Sequence, residues 1–186
     1  MDNLGGGGGD VRSMLESEGK TVFQNKRLLQ PETIIGTDRL VGRDEQLKDT
    51  VGLFRPILNR DSTANMMFHG PSGTGKSLIV EHVANQTMEI AEETGIDFGV
   101  FSLNCNSAKT ADDAFYHLAK KVLSQTDSER SIKKQGISTS EKIEVLFDTL
   151  GEYFESVVII LDEVDQLYDP GRNNYSYSDV IYQLSR

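Results

Sequence analysis

The chain alternates apolar stripes at helical spacing with short β-branched runs. Leu47, Val51, Phe54, Ile57 and Leu58 recur every three or four residues, which predicts a helix over 40–59 with a possible kink at Pro56. Asn65-Met66-Met67-Phe68-His69 is short, apolar at its centre and stopped by Gly70-Pro71, and predicts a strand. Residues 77–93 predict a helix with Leu78, Ile79, Val83, Ala84 and Met88 inward, ended by Thr94-Gly95. Residues 98–103 predict a second strand. Thr110 with Asp113 three residues on signals a helix start, and Ala114, Phe115, Leu118 and Val122 follow at helical spacing. Ser138 with Glu141 repeats the signal ahead of Ile143, Leu146, Phe147, Leu150 and Phe154. Val157 to Leu161 is an unbroken apolar run and predicts a strand buried on both faces. A last helix is expected from 176–178 onward, carrying Val180, Ile181 and Leu184. Alternating strands and helices of this kind predict an α/β domain with a parallel sheet.

Composition narrows the class. In 186 residues, 37% are hydrophobic and 26% charged, which suits one soluble globular domain. No apolar run approaches the roughly 20 residues of a membrane span. The start lacks a basic segment and an apolar segment, so no secretory signal is expected and the cytoplasm is the expected compartment. Residues 1–20, with five glycines in a row, are expected to form a disordered tail. A single cysteine, Cys105, excludes an internal disulfide and a cysteine zinc cluster, and the expectation is a buried small residue. The net charge is −10, the wrong sign for a domain that grips nucleic acid mainly through backbone phosphates.

Two motifs carry chemistry. Gly70-Pro71-Ser72-Gly73-Thr74-Gly75-Lys76-Ser77 matches the phosphate-loop pattern in full, between an expected strand and an expected helix. Its glycines let the backbone N–H groups of Ser72, Gly73, Thr74, Gly75, Lys76, Ser77 and Leu78 surround phosphate oxygens. Lys76 supplies a mobile charge for the β- and γ-phosphates, and the Ser77 hydroxyl is a ligand for Mg²⁺. The expected cofactors are ATP (or ADP) and Mg²⁺. The second motif is the apolar strand ending in Asp162-Glu163. Asp162 is the expected second Mg²⁺ holder, through water, and Glu163 the expected general base for an attacking water. A second acid at this place favours hydrolysis over phosphotransfer. Asp165, Asp169, Arg43-Asp44-Glu45 and Lys133-Lys134 are expected to be solvated.

With both motifs in place, residues 20–186 resemble the AAA+ ATPases of the archaeal origin-recognition and cell-division-control family, which are replication initiators. The resemblance rests on Leu40-Val41-Gly42-Arg43-Asp44-Glu45, on the phosphate loop, on Asn104-Cys105-Asn106, and on Leu161-Asp162-Glu163-Val164-Asp165 followed by Val180 to Arg186. It implies that Leu40 and Val41 form an adenine wall and that the 108–122 region is the initiator-specific element that touches DNA in family members. It implies a phosphate-loop NTPase fold with sheet order 5-1-4-3-2, of which 21–186 is the N-terminal part. The chain stops before the fourth strand, the sensors, the arginine finger, the lid and the winged helix. Two readings stay open: a fragment of a longer protein, or a short paralogue. The implied partners are nucleotide, origin DNA for the complete family architecture, other AAA+ subunits and the replicative helicase, with no membrane. Hydrolysis by this chain alone is expected to be weak or absent. The alternatives are a non-catalytic paralogue that binds and modulates full-length AAA+ partners, or another phosphate-loop ATPase.

Overall fold

The computed structural model describes residues 43–61, 63–71, 73–169, 174–175 and 177–185. The expected tail over 1–20 lies outside them. The chain divides at Thr94/Gly95 into two compact units.

The first unit holds two packed helices, α1 (Asp44–Leu58) and α2 (Lys76–Thr94). Leu47, Val51, Phe54 and Ile57 of α1 are buried, as their spacing predicts. Pro56 is accommodated within the last turn of α1, and its carbonyl accepts from the N–H groups of Asn59 and Asp61. In α2, Ile79, Val83 and Ala84 are buried, but Met88 is 41% exposed while Gln86, Thr87 and Ile90 take the inward face. The expected strand over 65–69 is not a strand: residues 63–69 carry no ladder, and Met67 is 80% exposed. A strand needs a neighbour to take its N–H and C=O groups, and none of the described residues pairs with this segment.

The second unit is a two-stranded parallel sheet with helices. Its elements are β1 (Phe98–Asn104), α3 (Ala111–Ser124), α4 (Thr139–Tyr153), β2 (Ser156–Asp162), the short antiparallel pair β3 (Tyr168–Asp169) and β4 (Asn174–Tyr175), and α5 (Tyr177–Leu184). Thr110 caps α3 by accepting from the Asp113 N–H. Ser138 and Glu141 form the full capping box at α4. β1 and β2 pair in register from Phe98 opposite Ser156 to Asn104 opposite Asp162. The core gathers Phe101, Leu103, Phe115, Leu118, Val122, Leu146, Leu150 and Leu167. Phe101 and Phe154 meet edge to face at 5.4 Å. Gly99 sits against that pair; a Cβ there would lie 2.8 Å from the Phe101 ring and 2.9 Å from Phe154. The sequence predicts β2 buried on both faces. Every residue of β2 is instead half-buried, because only one of its two edges is paired among the described residues. Phe147, an expected inward position, is 39% exposed.

One buried cation ties the helices of this unit. The Lys142 ammonium, almost without solvent contact, donates to Asp112 Oδ2 at 2.6 Å and to the Lys134 carbonyl at 2.9 Å, and Thr139 donates to Asp112 Oδ1. Lys134, expected to be solvated, pairs with Asp113 at 3.0 Å and lies over the Tyr116 ring. Partial burial pushes the Asp112 carboxyl up, but the bonds from Lys142 and Thr139 and the charges of Lys142 and Lys134 outweigh it and hold it below its ordinary value of 3.8.

Gly99→Ala is expected to destabilise the protein by about 1–3 kcal/mol, because the methyl overpacks the Phe101–Phe154 pair; chemical denaturation measures it. Asp112→Asn is expected to lose about 1–2 kcal/mol at neutral pH, less than for a fully buried pair because Asp112 is half-exposed. A carboxyl held low in the fold stabilises above its ordinary value and loses that contribution as pH falls through the lowered one. The parent should therefore lose stability on the acid side of 3.8, and the variant should lack that part of the loss.

Candidate functional site

The loop over 70–77 and the acidic end of β2 lie in different units. Before α2, Gly73 and Gly75 have φ of 76° and 81°, the left-handed region that only glycine adopts freely. These two turns deliver the chain into α2, which begins at Lys76. Lys76 Nζ folds back and donates to the carbonyls of Gly70 and Pro71, each at 2.9 Å, and the Thr74 hydroxyl donates to the Pro71 carbonyl at 2.9 Å. The ammonium thus hangs over the loop on partners it can exchange for stronger anionic ones. The first turn of α2 holds no acidic residue, whereas α1, α3 and α4 each hold one or more. Its first N–H groups have no intrahelical acceptor and form the positive end of the helix, with no carboxylate of that turn to offset it. Ser77 and Leu78 follow, both half-buried. Ser72, Leu40 and Val41 lie outside the described residues.

In the second unit, β2 ends with Asp162 beside Asn104 of β1. The Asp162 carbonyl accepts from the Cys105 N–H at 2.9 Å, and Asp162 Oδ1 accepts from the Glu163 N–H at 3.0 Å. Glu163 then turns with φ 52° and ψ 42°. A left-handed non-glycine residue is uncommon and is held only where its surroundings over-determine it. Two constraints hold this one. Its carbonyl accepts from the Gln166 N–H at 2.9 Å, opening a 3₁₀ turn over Val164–Gln166 that is anchored by buried Leu167. Its carboxylate Oε2 accepts from the Asn106 side-chain amide. Asn106 is fixed in turn: its N–H donates to Asn104 Oδ1 at 2.9 Å, within a turn closed by Ser107 on the Asn104 carbonyl. Cys105 is buried below these acids, as expected, and burial followed by the charges of Asp162, Asp165 and Glu163 pushes its thiol up to about 11. That thiol is inert at neutral pH.

The structure thus brings Asp162 and Glu163 together at one strand end and adds Asn104 and Asn106. The family string marks these two asparagines in the sequence, but nothing local in it shows that Asn106 reaches Glu163. No group of three or more His, Cys, Asp or Glu placed to hold a metal occurs among the described residues.

Residues 39–175 match the profile of the AAA ATPase domain. The chain belongs to that family. It is 42% identical to the ORC1-type DNA replication protein 14 of Haloarcula marismortui over 92% of its length, and 42% identical to the ORC1-type DNA replication protein 5 of Halobacterium salinarum over 93%. It spans 40% and 41% of those relatives. Among solved structures it is similar to the ORC1 protein of Aeropyrum pernix, determined in complex with DNA, with a TM-score of 0.65 and 21% identity over 93% of this chain and 38% of that one. That likeness supports the AAA fold, and the kinship to ORC1-type replication proteins agrees with the resemblance in the sequence. No described helix is long and apolar enough to cross a membrane.

Proposed function

We propose that this chain is the ATP-binding module of an ORC1-type replication initiator. The observation that carries the reading is the loop itself: left-handed Gly73 and Gly75 leading directly into α2, with Lys76 at its first position and an N-terminus free of acids. This donor set suits a triphosphate. Backbone N–H groups from Gly73 to Leu78, together with Ser72, surround the phosphates, and Lys76 leaves the Gly70 and Pro71 carbonyls for phosphate oxygens. Ser77 and Asp162 each offer a hard oxygen of the kind Mg²⁺ takes, and the family resemblance assigns both to one ion, which would neutralise phosphate charge. Leu40 and Val41 take the adenine, as the family resemblance implies.

Glu163 is the general base in this reading. Asn106 is its positioning residue, because it holds one carboxylate oxygen and leaves the other to accept a proton from water. Turnover by this chain alone is slow, since none of the described residues is a sensor or an arginine finger by the family's pattern. Residues 21–186 form the N-terminal part of the ATP-binding domain. Origin DNA, other AAA+ subunits and the replicative helicase are partners of the assembled initiator. The net charge of −10 argues that this chain is not by itself the DNA-gripping surface.

Calorimetric titration with ATP–Mg²⁺ tests the reading. Lys76→Ala should weaken binding at least about tenfold, or 1.4 kcal/mol. A variant that binds ATP as tightly as the parent overturns the assignment.

A further inference from the structure

One lysine lies across the outer edge of β1. The Cys105 N–H donates to the Asp162 carbonyl. Along a parallel pair, successive residues turn their main-chain groups alternately toward the partner strand and away from it. Gly99, Phe101 and Leu103 therefore turn theirs toward β2, and Phe98, Val100, Ser102 and Asn104 turn theirs outward. Among the described residues no strand takes these outward groups. The strand order that the family resemblance implies, 5-1-4-3-2, also leaves this second strand outermost. Side chains alternate across the sheet in the same rhythm. Phe101 and Leu103 face the core shared with Phe115, Leu118 and Val122 of α3, so Ser102 faces the other side. Lys121 starts from α3, yet its ammonium donates to the Ser102 carbonyl at 2.8 Å and to the Ser102 hydroxyl at 3.1 Å. The side chain thus runs from one face of the sheet around its edge toward the other. The next outward carbonyl, that of Asn104, accepts from the Ser107 N–H at 3.1 Å and from the Ser107 hydroxyl at 2.7 Å.

We propose that Lys121 keeps the outer edge of β1 closed to other strands. An incoming strand would lie about 4.8 Å from β1, in the space that the Lys121 ammonium occupies. It would have to break both bonds to Ser102 and press its own backbone against a desolvated charge. The ammonium cannot simply drift off with its helix, because Leu118 and Val122 on either side of Lys121 are fully buried and fix α3 in the core. The edge needs such a guard. From Phe98 to Leu103 it carries no charge and no proline, the composition that pairs with an extended strand of another molecule. With Lys121 in place and the Asn104 carbonyl taken by Ser107, only the outward groups of Phe98 and Val100 remain, too short a stretch to template a strand. Neither bound nucleotide nor the outer edge of β2 enters this role.

The test compares the full 186-residue chain with Lys121→Met, which keeps the apolar stem and removes the donors. Light scattering over a range of concentrations should show the variant associating where the parent does not, or at least about tenfold more tightly than the parent. In the associated variant the amides of Val100 and Ser102 should exchange at least about tenfold more slowly than in its dilute form. Adding Ser102→Pro removes one outward N–H and breaks no bond to β2, so the double variant should scatter like the parent. A Lys121→Met chain that scatters like the parent overturns the proposal, and so does association that survives Ser102→Pro. If Lys121→Met fails to fold, nitrogen-15 NMR of the parent decides. The Lys121 ammonium protons should then exchange at least about tenfold more slowly than those of exposed Lys133; equal rates overturn the proposal.

Discussion

The parallel register of β1 on β2 is the constraint on which the acidic site depends. Asn104 opposite Asp162 is its last rung, and the Cys105 N–H on the Asp162 carbonyl closes it. That rung sets Asn106 within reach of Glu163, although the two are 57 residues apart in the chain. A slip of one residue would send each side chain of β2 to the other face. It would take Val157, Ile159 and Leu161 off the core and carry Asp162 and Glu163 away from the asparagines. The register is held by packing on one face, with Phe101, Leu103 and Phe154 fixing β1 and Leu167 tying down the chain just past Glu163. Core and site are thus one arrangement, because the strand that fills the core also delivers the acids.

The phosphate loop depends on something more local. Two left-handed glycines and a helix start shape it, and its internal bonds run between residues three to six positions apart. A loop built this way keeps its form although the segment before it is not a strand. A clear AAA ATPase match over 39–175 stands beside a sheet of two parallel strands in the described residues. The chain covers about 40% of the length of ORC1-type relatives, and in the second unit β2 is half-buried and paired on one edge among the described residues.

What was legible in the sequence follows the range of the interactions. Thr110 and Ser138 announce the starts of α3 and α4 because a cap is a contact over three residues. The stripe Leu47, Val51, Phe54, Ile57 announces α1 because helical spacing is local. The strand over 65–69 was expected from its own residues, yet a strand exists only through a neighbour, and composition cannot supply one. Met88 and Phe147 have the right spacing to face inward and do not, since what covers a helix face is decided by other elements. The Lys142–Asp112 pair joins residues 30 positions apart and leaves no local mark. Of the candidate site, the loop and the two acids could be read directly. Asn104 and Asn106 could be marked by family resemblance, but their work on Glu163 appears only when the strands are placed side by side.

Thermal unfolding of the full chain with and without ATP–Mg²⁺ tests most directly whether these motifs form a competent nucleotide site. A ligand that binds only the folded state stabilises it by about 2.7 kcal/mol at a hundredfold excess over its dissociation constant. One cooperative transition that shifts upward with nucleotide is expected. A cooperative transition that does not move at saturating ATP–Mg²⁺ would contradict it, because a folded chain would then have been shown to carry the phosphate loop without the site.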